Sequence, residues 1–227
     1  MKNICLIPAR SGSKRIKNKN IIDFHGKPLI YRAIHAAKIS KLFTEIYIST
    51  DSKNIFDLSK KYKVKCILRS RENSNDTATI HSVIKESIIH LRRKNIKFDN
   101  LCCILPTAVL LNYKNLIKAY NLLKNNKLKF IMPISKFSYP PQRGLVIKNN
   151  SIFMQTQQNY NKNSQEFEKI YHDAGQFYWG NAKSFLKYNN TFNGKSIGLI
   201  LKSFEVQDID DVDDLILAKM KFKNLYK

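Results

Sequence analysis

The chain has 227 residues, 43% of them hydrophobic and 25% charged, which fits one globular domain and excludes wholesale disorder. No apolar run approaches the roughly 18 residues that a membrane span needs, and the N-terminus becomes polar and basic too early for a secretory signal. The net charge of +23 invites a nucleic-acid partner, but 32 of the 40 cations are lysines spread along the chain. A genome rich in A and T, whose codons favour lysine, explains the excess of lysines more simply than a nucleic-acid partner does.

The first 135 residues alternate short apolar runs with segments of helical spacing. Buried strands are predicted at 3–9, 45–50, 64–68, 101–105 and 130–135, and helices at 28–40, 52–62, 79–93 and 112–124. Repeated βα units imply a mostly parallel sheet with right-handed crossovers. The predicted class is therefore α/β, a Rossmann-like three-layer sandwich.

The alternation breaks at Ser138. Apolar runs at 145–147 and 152–156 flank Asn149-Asn150-Ser151 and predict a β-hairpin. We interpret about 138–178 as a small β-rich insertion, a lid or dimer arm, within a single domain of residues 1–227. The fold then resumes with a helix at 181–188, a strand at 196–201, an extended or strand segment at 203–207 and a helix at 212–223.

Four cysteines form no CxxC pair. Cys102 and Cys103 are adjacent in a predicted strand, so their side chains should point to opposite faces of the sheet. Buried thiols in a reducing cytoplasm are the expected state.

A basic loop follows the first strand. Its five cations lie within ten residues: Arg10, Lys14, Arg15, Lys17 and Lys19. Exposed amides of the Ser11-Gly12-Ser13 turn, together with these cations, suit a polyphosphate at the carboxyl edge of the sheet. The loop matches neither GxxxxGK[ST] nor GxGxxG. A solvated basic loop in a lysine-rich chain is an equally weighted alternative on composition alone.

The sequence of this loop resembles the signature of the CMP-sugar-acid synthetases, the cytidylyltransferases for sialic acid and its relatives. The matching segments are IPARSGSKRIKNKNI followed by FHGKPLI. Later blocks recur in order: Ser49-Thr50-Asp51, Leu68-Arg69, Asp76-Thr77-Ala78, Leu105-Pro106-Thr107 and Asp208-Ile209-Asp210. The resemblance implies a homodimeric nucleotidyltransferase that joins CTP to a 2-keto sugar acid with Mg²⁺, for which Mn²⁺ can substitute, and releases pyrophosphate.

The same resemblance assigns roles within these blocks. It makes Arg10, Lys14 and Lys19 the catalytic cations, and it implies nucleotide binding by Ser11, Gly12, Ser13, Asn20, Arg69, Asp76 and Thr77. Arg10 and Lys14 would offset charge on the leaving pyrophosphate, and Lys19 would lie near the α-phosphate.

Residues 171–179 read YHDAGQFYW, which resembles the pseudaminic acid branch of the family. That resemblance implies sugar contacts from His172, Asp173, Gln176 and Tyr178, with Phe177 and Trp179 walling the pocket. From the residues alone, the favoured interpretation is a local turn at His172-Asp173 with the aromatic side chains alternating into the core.

Acidic residues concentrate near the C-terminus: Glu205, Asp208, Asp210, Asp211, Asp213 and Asp214. Carboxylates two residues apart on an extended segment point the same way, so Asp208 and Asp210 are predicted Mg²⁺ ligands. Helix capping explains Asp211, Asp213 and Asp214 without a metal, and it also suits Asp210.

Two alternatives stay open at this level. One is the same chemistry on sialic or legionaminic acid or, more remotely, on an eight-carbon keto-deoxy acid. The other is a non-enzymatic protein that binds nucleic acid through its basic surface. The chain also departs from the family pattern at Leu105 and Val109, which leaves Leu105 outside the predicted site. His25, His35, His81 and His90 lack zinc-ligand spacing.

Overall fold

The computed structural model describes residues 1–125 and 129–226. Its strands are β1 Asn3–Pro8, β2 Asp23–Phe24, β3 Lys27–Pro28, β4 Glu45–Thr50, β5 Lys65–Leu68, β6 Asn100–Ile104, β7 Phe130–Lys136, β8 Leu145–Lys148, β9 Ser151–Met154, β10 Tyr171–Asp173, β11 Phe177–Asn181 and β12 Ser196–Leu201. Its α-helices are α1 Tyr31–Ser40, α2 Lys53–Lys61, α3 Ile80–Arg93, α4 Tyr113–Asn125, α5 Ala182–Lys187 and α6 Val212–Leu225.

Eight of these strands form the main sheet in the order β10-β7-β11-β6-β1-β4-β5, with β12 paired to β7. Strands β6, β1, β4 and β5 run parallel, as do β12 and β7, whereas β10 and β11 run antiparallel to their neighbours. The predicted mostly parallel α/β sheet is confirmed. The carboxyl ends of β1, β4, β5 and β6 therefore share one edge, where open α/β sheets bind ligands.

Strand parity divides the core between the two faces of the sheet. Cys5 and Ile7 of β1 pack on one face with α1, α2 and α4, and Ile4 and Leu6 pack on the other with α3 and α5. Cys102 and Cys103 likewise enter opposite clusters, as predicted, and both are fully buried. Burial raises the pKa of Cys5, Cys102 and Cys103, so these thiols are inert at neutral pH.

Side-chain caps set where several helices begin. The hydroxyl of Ser52 accepts from the Ile55 N–H at the start of α2, and that of Thr79 accepts from the Ser82 N–H at the start of α3. Asp211 and Asp214 form a reciprocal capping box at the start of α6. Part of the acidic cluster is thus explained by helix capping, as expected from the sequence.

The first helix begins later than position 28. Lys27 and Pro28 instead pair with Asp23 and Phe24 in a small β-ribbon, and Leu29 donates its N–H to the Ile22 carbonyl oxygen at 2.9 Å. His25 and Gly26 both have positive φ, 51° and 75°, the geometry that a two-residue hairpin turn requires. This ribbon places Phe24 and Leu29 in a third cluster with α6.

The strand or extended segment predicted at 203–207 is wrong for its first three residues, whereas Val206 has extended backbone. Ser203–Glu205 forms one turn of 3₁₀ helix, with the Glu205 carboxylate accepting from the Lys202 N–H at 3.0 Å. That local hydrogen bond competes with extended backbone. Asp208 and Asp210 therefore lie on a loop before α6 rather than at the end of a strand.

The predicted hairpin is confirmed as β8 and β9, joined by Asn149 and Asn150 at positive φ. The insertion is shorter than 138–178, because β10 and the first residues of β11 belong to the main sheet. Apolar side chains of the hairpin face solvent, with Ile147 75% and Ile152 69% exposed. Across residues 1–125 and 129–226, every helix is too short or too polar to cross a lipid bilayer.

Candidate active site

A cleft of about 360 Å³ lies at the carboxyl ends of β1, β5 and β6. Three loops wall it: residues 8–20 after β1, residues 69–80 after β5 and residues 105–107 after β6. Asp210 closes it from the C-terminal part of the chain. The topology thus brings the basic loop and part of the acidic segment into one depression.

The basic loop is held in shape by contacts within the protein. Buried Asn20 donates from Nδ2 to the Arg10 carbonyl oxygen at 2.9 Å, which folds the loop back on itself. Asn18 adopts a left-handed backbone with φ 56°, a conformation that asparagine tolerates. The carboxylate of Asp51 accepts from both the N–H and the hydroxyl of Ser11 at 2.8 Å. These contacts turn the side chains of Arg10, Lys14 and Lys19 toward the cleft.

Asp76 bridges two of those cations. Its Oδ1 lies 2.6 Å from Arg10 Nη1, and its Oδ2 lies 2.5 Å from Lys14 Nζ. The two cations hold the pKa of Asp76 below its ordinary value. Asp76 therefore remains an anion at neutral pH, paired with the residues expected to hold phosphate.

The start and end of the chain meet at Lys19. Its ammonium donates to the Ile209 carbonyl oxygen at 2.5 Å and lies 3.4 Å from Asp210 Oδ1. Arg15 reaches the same Asp210 oxygen from Nη2 at 2.8 Å. Only 18% of the Lys19 side chain is exposed, so this contact is better shielded from water than the Asp76 pairs.

Arg69 forms part of the opposite wall. Its Nη2 donates to the Ser49 carbonyl oxygen at 2.9 Å, which ties the loop after β5 to the end of β4. Burial lowers the pKa of Arg69, and the nearby Asp51 carboxylate opposes that change. The guanidinium stays charged and adds a fixed cation to the cleft.

Asp208 differs from Asp210 in lacking a cationic partner. Within the described residues it forms no ion pair, and its Oδ1 accepts only from the Ile209 N–H at 2.8 Å. Although Asp208 is an exposed residue, desolvation by the surrounding protein raises its pKa, and the Asp210 carboxylate raises it further. The Ile209 N–H and the Lys19 ammonium oppose this rise. A divalent cation at these carboxylates would relieve that unfavourable charge.

The donor set suits Mg²⁺ rather than a softer metal. No group of three or more His, Cys, Asp or Glu side chains that could hold a metal occurs in the described residues. Mg²⁺ characteristically binds one or two carboxylates and takes its other ligands from phosphates and water. Asp208 and Asp210 therefore suit Mg²⁺ by ligand chemistry, but Asp210 lines the cleft, whereas Asp208 lines a separate depression. To bind a metal, Asp210 would have to loosen its pair with Arg15.

Strand parity separates the residues of the 171–179 block. Phe177 and Trp179 are fully buried, and Trp179 stacks against Phe43 at 5.2 Å between ring centroids, so the expectation that they wall a sugar pocket is wrong. Gln176 is 2% exposed and donates from Nε2 to the Glu205 carbonyl oxygen at 2.7 Å. Tyr178 points to the opposite face of the sheet from Phe177 and Trp179.

Tyr178 and Asp173 form one polar unit. The tyrosine hydroxyl donates to Asp173 Oδ2, and Asp173 Oδ1 accepts from the Gly175 N–H at 2.9 Å. Burial and the Asp173 carboxylate raise the pKa of Tyr178 well above its usual value, so the hydroxyl stays protonated. His172 accompanies Asp208 in a separate depression.

A second cavity of about 240 Å³ adjoins the cleft. The two share Ile80, and the ring of Tyr178 and the side chains of His81, Asn190 and Phe192 line the second. Its surface is mostly apolar with amides at the rim, whereas the main cleft is charged. The pair of cavities can hold a polyanion and a partly apolar group side by side.

Comparison with known proteins identifies the family. The cytidylyltransferase family model matches residues 4–203, which include the basic loop and end just before the acidic segment. This chain is a cytidylyltransferase. It is 40% identical to a pseudaminic acid cytidylyltransferase of Campylobacter jejuni over 98% of this chain and 97% of that protein.

Two other proteins, a relative in sequence and a solved structure, are also similar to this chain. A CMP-N,N'-diacetyllegionaminic acid synthase of Legionella pneumophila is 29% identical, covering 96% of this chain and 95% of that protein. The solved structure of CMP:2-keto-3-deoxy-manno-octonic acid synthetase complexed with CTP covers 99% of this chain and 100% of its own, with a TM-score of 0.72 at 14% identity. That structure shows the cytidylyltransferase fold.

The cleft of this cytidylyltransferase contains most of the predicted nucleotide residues. They are Arg10, Ser13, Lys14, Lys19, Asn20, Arg69 and Asp76. Three others lie outside its lining: Ser11 is bound to Asp51, Gly12 is exposed beside it, and Thr77 bonds to Asn75 Oδ1. The four predicted sugar residues do not share one cavity.

Several cleft residues were missed by sequence reasoning. Arg15 was noted as a cation but given no role, and its contact with Asp210 depends on the folded loop. Leu105 was set aside because it departs from the family pattern, yet it lines the cleft beside Pro106 and Thr107. Its position directly after β6 was a signal that could have placed it there.

Proposed function

We propose that this cytidylyltransferase transfers CMP from CTP to pseudaminic acid, giving CMP-pseudaminic acid and pyrophosphate. The full-length identity of 40% to a pseudaminic acid cytidylyltransferase carries the choice of sugar, since the legionaminic acid relative is 29% identical over a similar span. The cationic cleft beside an apolar cavity supports the choice of reaction.

The triphosphate would lie along the basic loop. Arg10 and Lys14 stand at the wall formed with residues 69–80, and Lys19 stands at the side of Asp210. In this orientation Arg10 and Lys14 offset charge on the departing pyrophosphate and Lys19 lies near the α-phosphate. The sugar's anomeric hydroxyl attacks the α-phosphorus in line and loses its proton to solvent water. The bond between the α-phosphorus and the bridging oxygen of the β-phosphate breaks, and pyrophosphate leaves from the opposite side.

The protein contributes mainly position and charge. Asp208 and Asp210 would hold Mg²⁺, which would supply charge neutralisation for the phosphates and could make the attacking hydroxyl more acidic. Lys19 keeps Asp210 at the edge of the cleft while the pair of Asp210 with Arg15 would give way to the metal. Buried Gln176 fixes the Glu205 carbonyl upstream of both carboxylates. No side chain is then required to act as a strong base.

The second cavity would take an acyl substituent of the sugar. Its contact with the cleft at Ile80 puts it beside the nucleotide, and Tyr178, Phe192 and the Asn190 amide offer an apolar wall with polar partners. Such a surface suits an acetamido group, which has a methyl group and an amide. The Asp173–Tyr178 pair braces this wall from the sheet.

The hairpin supports a homodimer. Leu145, Ile147 and Ile152 are each more than 60% exposed on one small ribbon, at 63%, 75% and 69%. Large contiguous patches of exposed apolar side chains mark interaction sites, and these three side chains lie on one ribbon. A second copy of the chain is the proposed partner, and the enzyme is proposed to act in the cytoplasm.

A panel of sugar acids tests the choice of substrate. Purified protein with CTP and Mg²⁺ is given pseudaminic, N-acetylneuraminic, legionaminic or 3-deoxy-manno-octulosonic acid, and pyrophosphate release is measured. We expect pseudaminic acid to give the highest kcat/KM. A higher value for any other acid would refute the proposed substrate, and no release with any of them would refute the reaction.

A further inference from the structure

The carboxylate of Asp76 pairs with both cations that are proposed to bind the leaving pyrophosphate. One of its oxygens contacts Arg10 at 2.6 Å and the other contacts Lys14 at 2.5 Å, so a single side chain satisfies both cations. These are its only hydrogen-bonding partners among the described residues. Asp76 therefore serves neither the backbone of its loop nor a neighbouring helix.

The loop that carries Asp76 is fixed without it. Asn75 Oδ1 accepts from the N–H groups of Thr77 and Ala78 at 3.0 and 2.9 Å, and the Glu86 carboxylate accepts from the Ser70 N–H at 3.0 Å. Arg69 ties the base of the loop to Ser49. The position of Asp76 is thus set by its loop and not by its pairs with the two cations.

These ion pairs are exposed and can be exchanged. The exposed fractions are 80% for the Lys14 side chain, 40% for Asp76 and 32% for Arg10. Exposed pairs contribute little net free energy, because water and salt compete for both partners. A triphosphate, with more charge than one carboxylate, can displace Asp76 from both cations.

We propose that Asp76 is an internal competitor for the triphosphate site, a carboxylate that neutralises Arg10 and Lys14 until nucleotide displaces it. This inference rests on the proposed function only in taking a triphosphate as the ligand. The proposal reverses the role predicted from the sequence, in which Asp76 binds the nucleotide. Here the negative charge of Asp76 lowers the affinity for the triphosphate. A ligand that needs both cations meets them free in only a fraction of molecules, so its apparent Kd equals the intrinsic Kd divided by that fraction.

The competition has a consequence for turnover. The same carboxylate is positioned to recapture Arg10 and Lys14 as pyrophosphate leaves. Asp76 then lowers the affinity for product as well as for substrate and limits inhibition by pyrophosphate. Asp76 acts here on the binding cations and touches no reacting atom, so it sets the affinity of the site and is not a catalytic residue.

The test compares four proteins by calorimetric binding of CTP and of inorganic tripolyphosphate, with EDTA present so that no metal contributes. They are the wild type, Asp76→Asn, Asp76→Glu and Asp57→Asn. Asp57 pairs with Lys60 at 4.0 Å on α2, outside the cleft, so its substitution makes the same change in net charge. Thermal unfolding of each protein checks that the fold is kept.

We expect Asp76→Asn to lower the Kd of both ligands by about three- to tenfold, with Asp76→Glu and Asp57→Asn within about twofold of wild type. Unchanged or weaker binding by Asp76→Asn would overturn the inference, as would an equal gain in Asp57→Asn. Tripolyphosphate separates this result from the reaction itself. If Asp76→Asn binds tripolyphosphate more tightly but no sugar acid yields a CMP-sugar, the competitor role stands and the proposed function falls.

Discussion

Lys19 and Asp210 are 191 residues apart in the chain and lie 3.4 Å apart in the structure, with the Lys19 ammonium also bound to the Ile209 carbonyl oxygen. This contact joins the basic loop after β1 to the acidic segment before α6. In the proposed function, a phosphate held by the loop would lie beside Asp210, one of the two proposed metal ligands. The geometry of the proposed reaction depends on this junction.

Lys14→Ala should lower kcat by more than tenfold, because it removes a cation that offsets charge on the leaving pyrophosphate. Lys14 is 80% exposed, so we expect the melting temperature to be unchanged. Lys17→Ala is the matched control, since Lys17 belongs to the same loop but not to the cleft lining. Equal effects of the two substitutions on kcat would contradict a specific role for Lys14.

Asp208→Asn and Asp210→Asn should each raise the Mg²⁺ concentration for half-maximal rate by about tenfold or more. Asp213→Asn removes an exposed acid from the first turn of α6 and should leave the Mg²⁺ requirement unchanged. Binding of Mn²⁺ in the presence of CTP, followed by electron paramagnetic resonance, gives a readout independent of turnover. Wild-type Mn²⁺ affinity in both variants would rule out these ligands.

Phe192→Ala should raise the KM for the sugar acid roughly three- to tenfold and leave the KM for CTP unchanged, because Phe192 lines the second cavity and not the cleft. The side chain is 62% exposed, so its removal leaves no buried void. Ile200→Ala, at a residue 61% exposed on β12, serves as the control. A change in the KM for CTP alone would place the sugar elsewhere.

Ile147→Glu should weaken the dimer by at least about tenfold, since it puts a charge opposite Ile152 in the apolar ribbon. Analytical ultracentrifugation over a concentration series measures this directly. Met220→Glu, at a residue 60% exposed on α6, is expected to keep the wild-type association. A monomeric wild-type protein at micromolar concentration would exclude the homodimer.

Gly180→Ala should destabilise the fold by about 1–3 kcal/mol. A Cβ at this position would lie 2.7 Å from both Phe130 Cδ1 and Phe185 Cε2, and both rings are fully buried and have no room to move. At Gly12 the nearest heavy atom to an added Cβ is 3.9 Å away, so Gly12→Ala is the control. Chemical denaturation monitored by Trp179 fluorescence measures the difference.

The sequence predicted the strands and helices well where one face of an element is buried throughout. Apolar runs such as 45–50 have no alternative to burial in a sheet, and helices α2 and α3 begin at the hydroxyl caps Ser52 and Thr79. The position of the cleft followed from topology, because loops after parallel strands gather at one edge. Predictions failed where a local hydrogen bond decided the backbone, as at Ser203–Glu205.

The side-chain pairing within the cleft was beyond sequence reasoning. The sequence of residues 69–80 does not show that Asp76 forms ion pairs with Arg10 and Lys14, because those contacts depend on how two loops fold. Strand parity could have indicated that Phe177 and Trp179 share one face and Tyr178 the other, but not which face meets the cleft. The sequence was thus a good guide to which loops matter and a poor guide to which atoms meet.

The most direct test of the central claim follows each phosphate of CTP. The protein is incubated with Mg²⁺, pseudaminic acid and CTP labelled either at the α-phosphorus or at the γ-phosphorus, and the products are separated. We predict that the α-label appears in CMP-pseudaminic acid and the γ-label in pyrophosphate, in equal amounts. Release of orthophosphate, formation of CDP or CMP without a sugar adduct, or no labelled product would contradict the account.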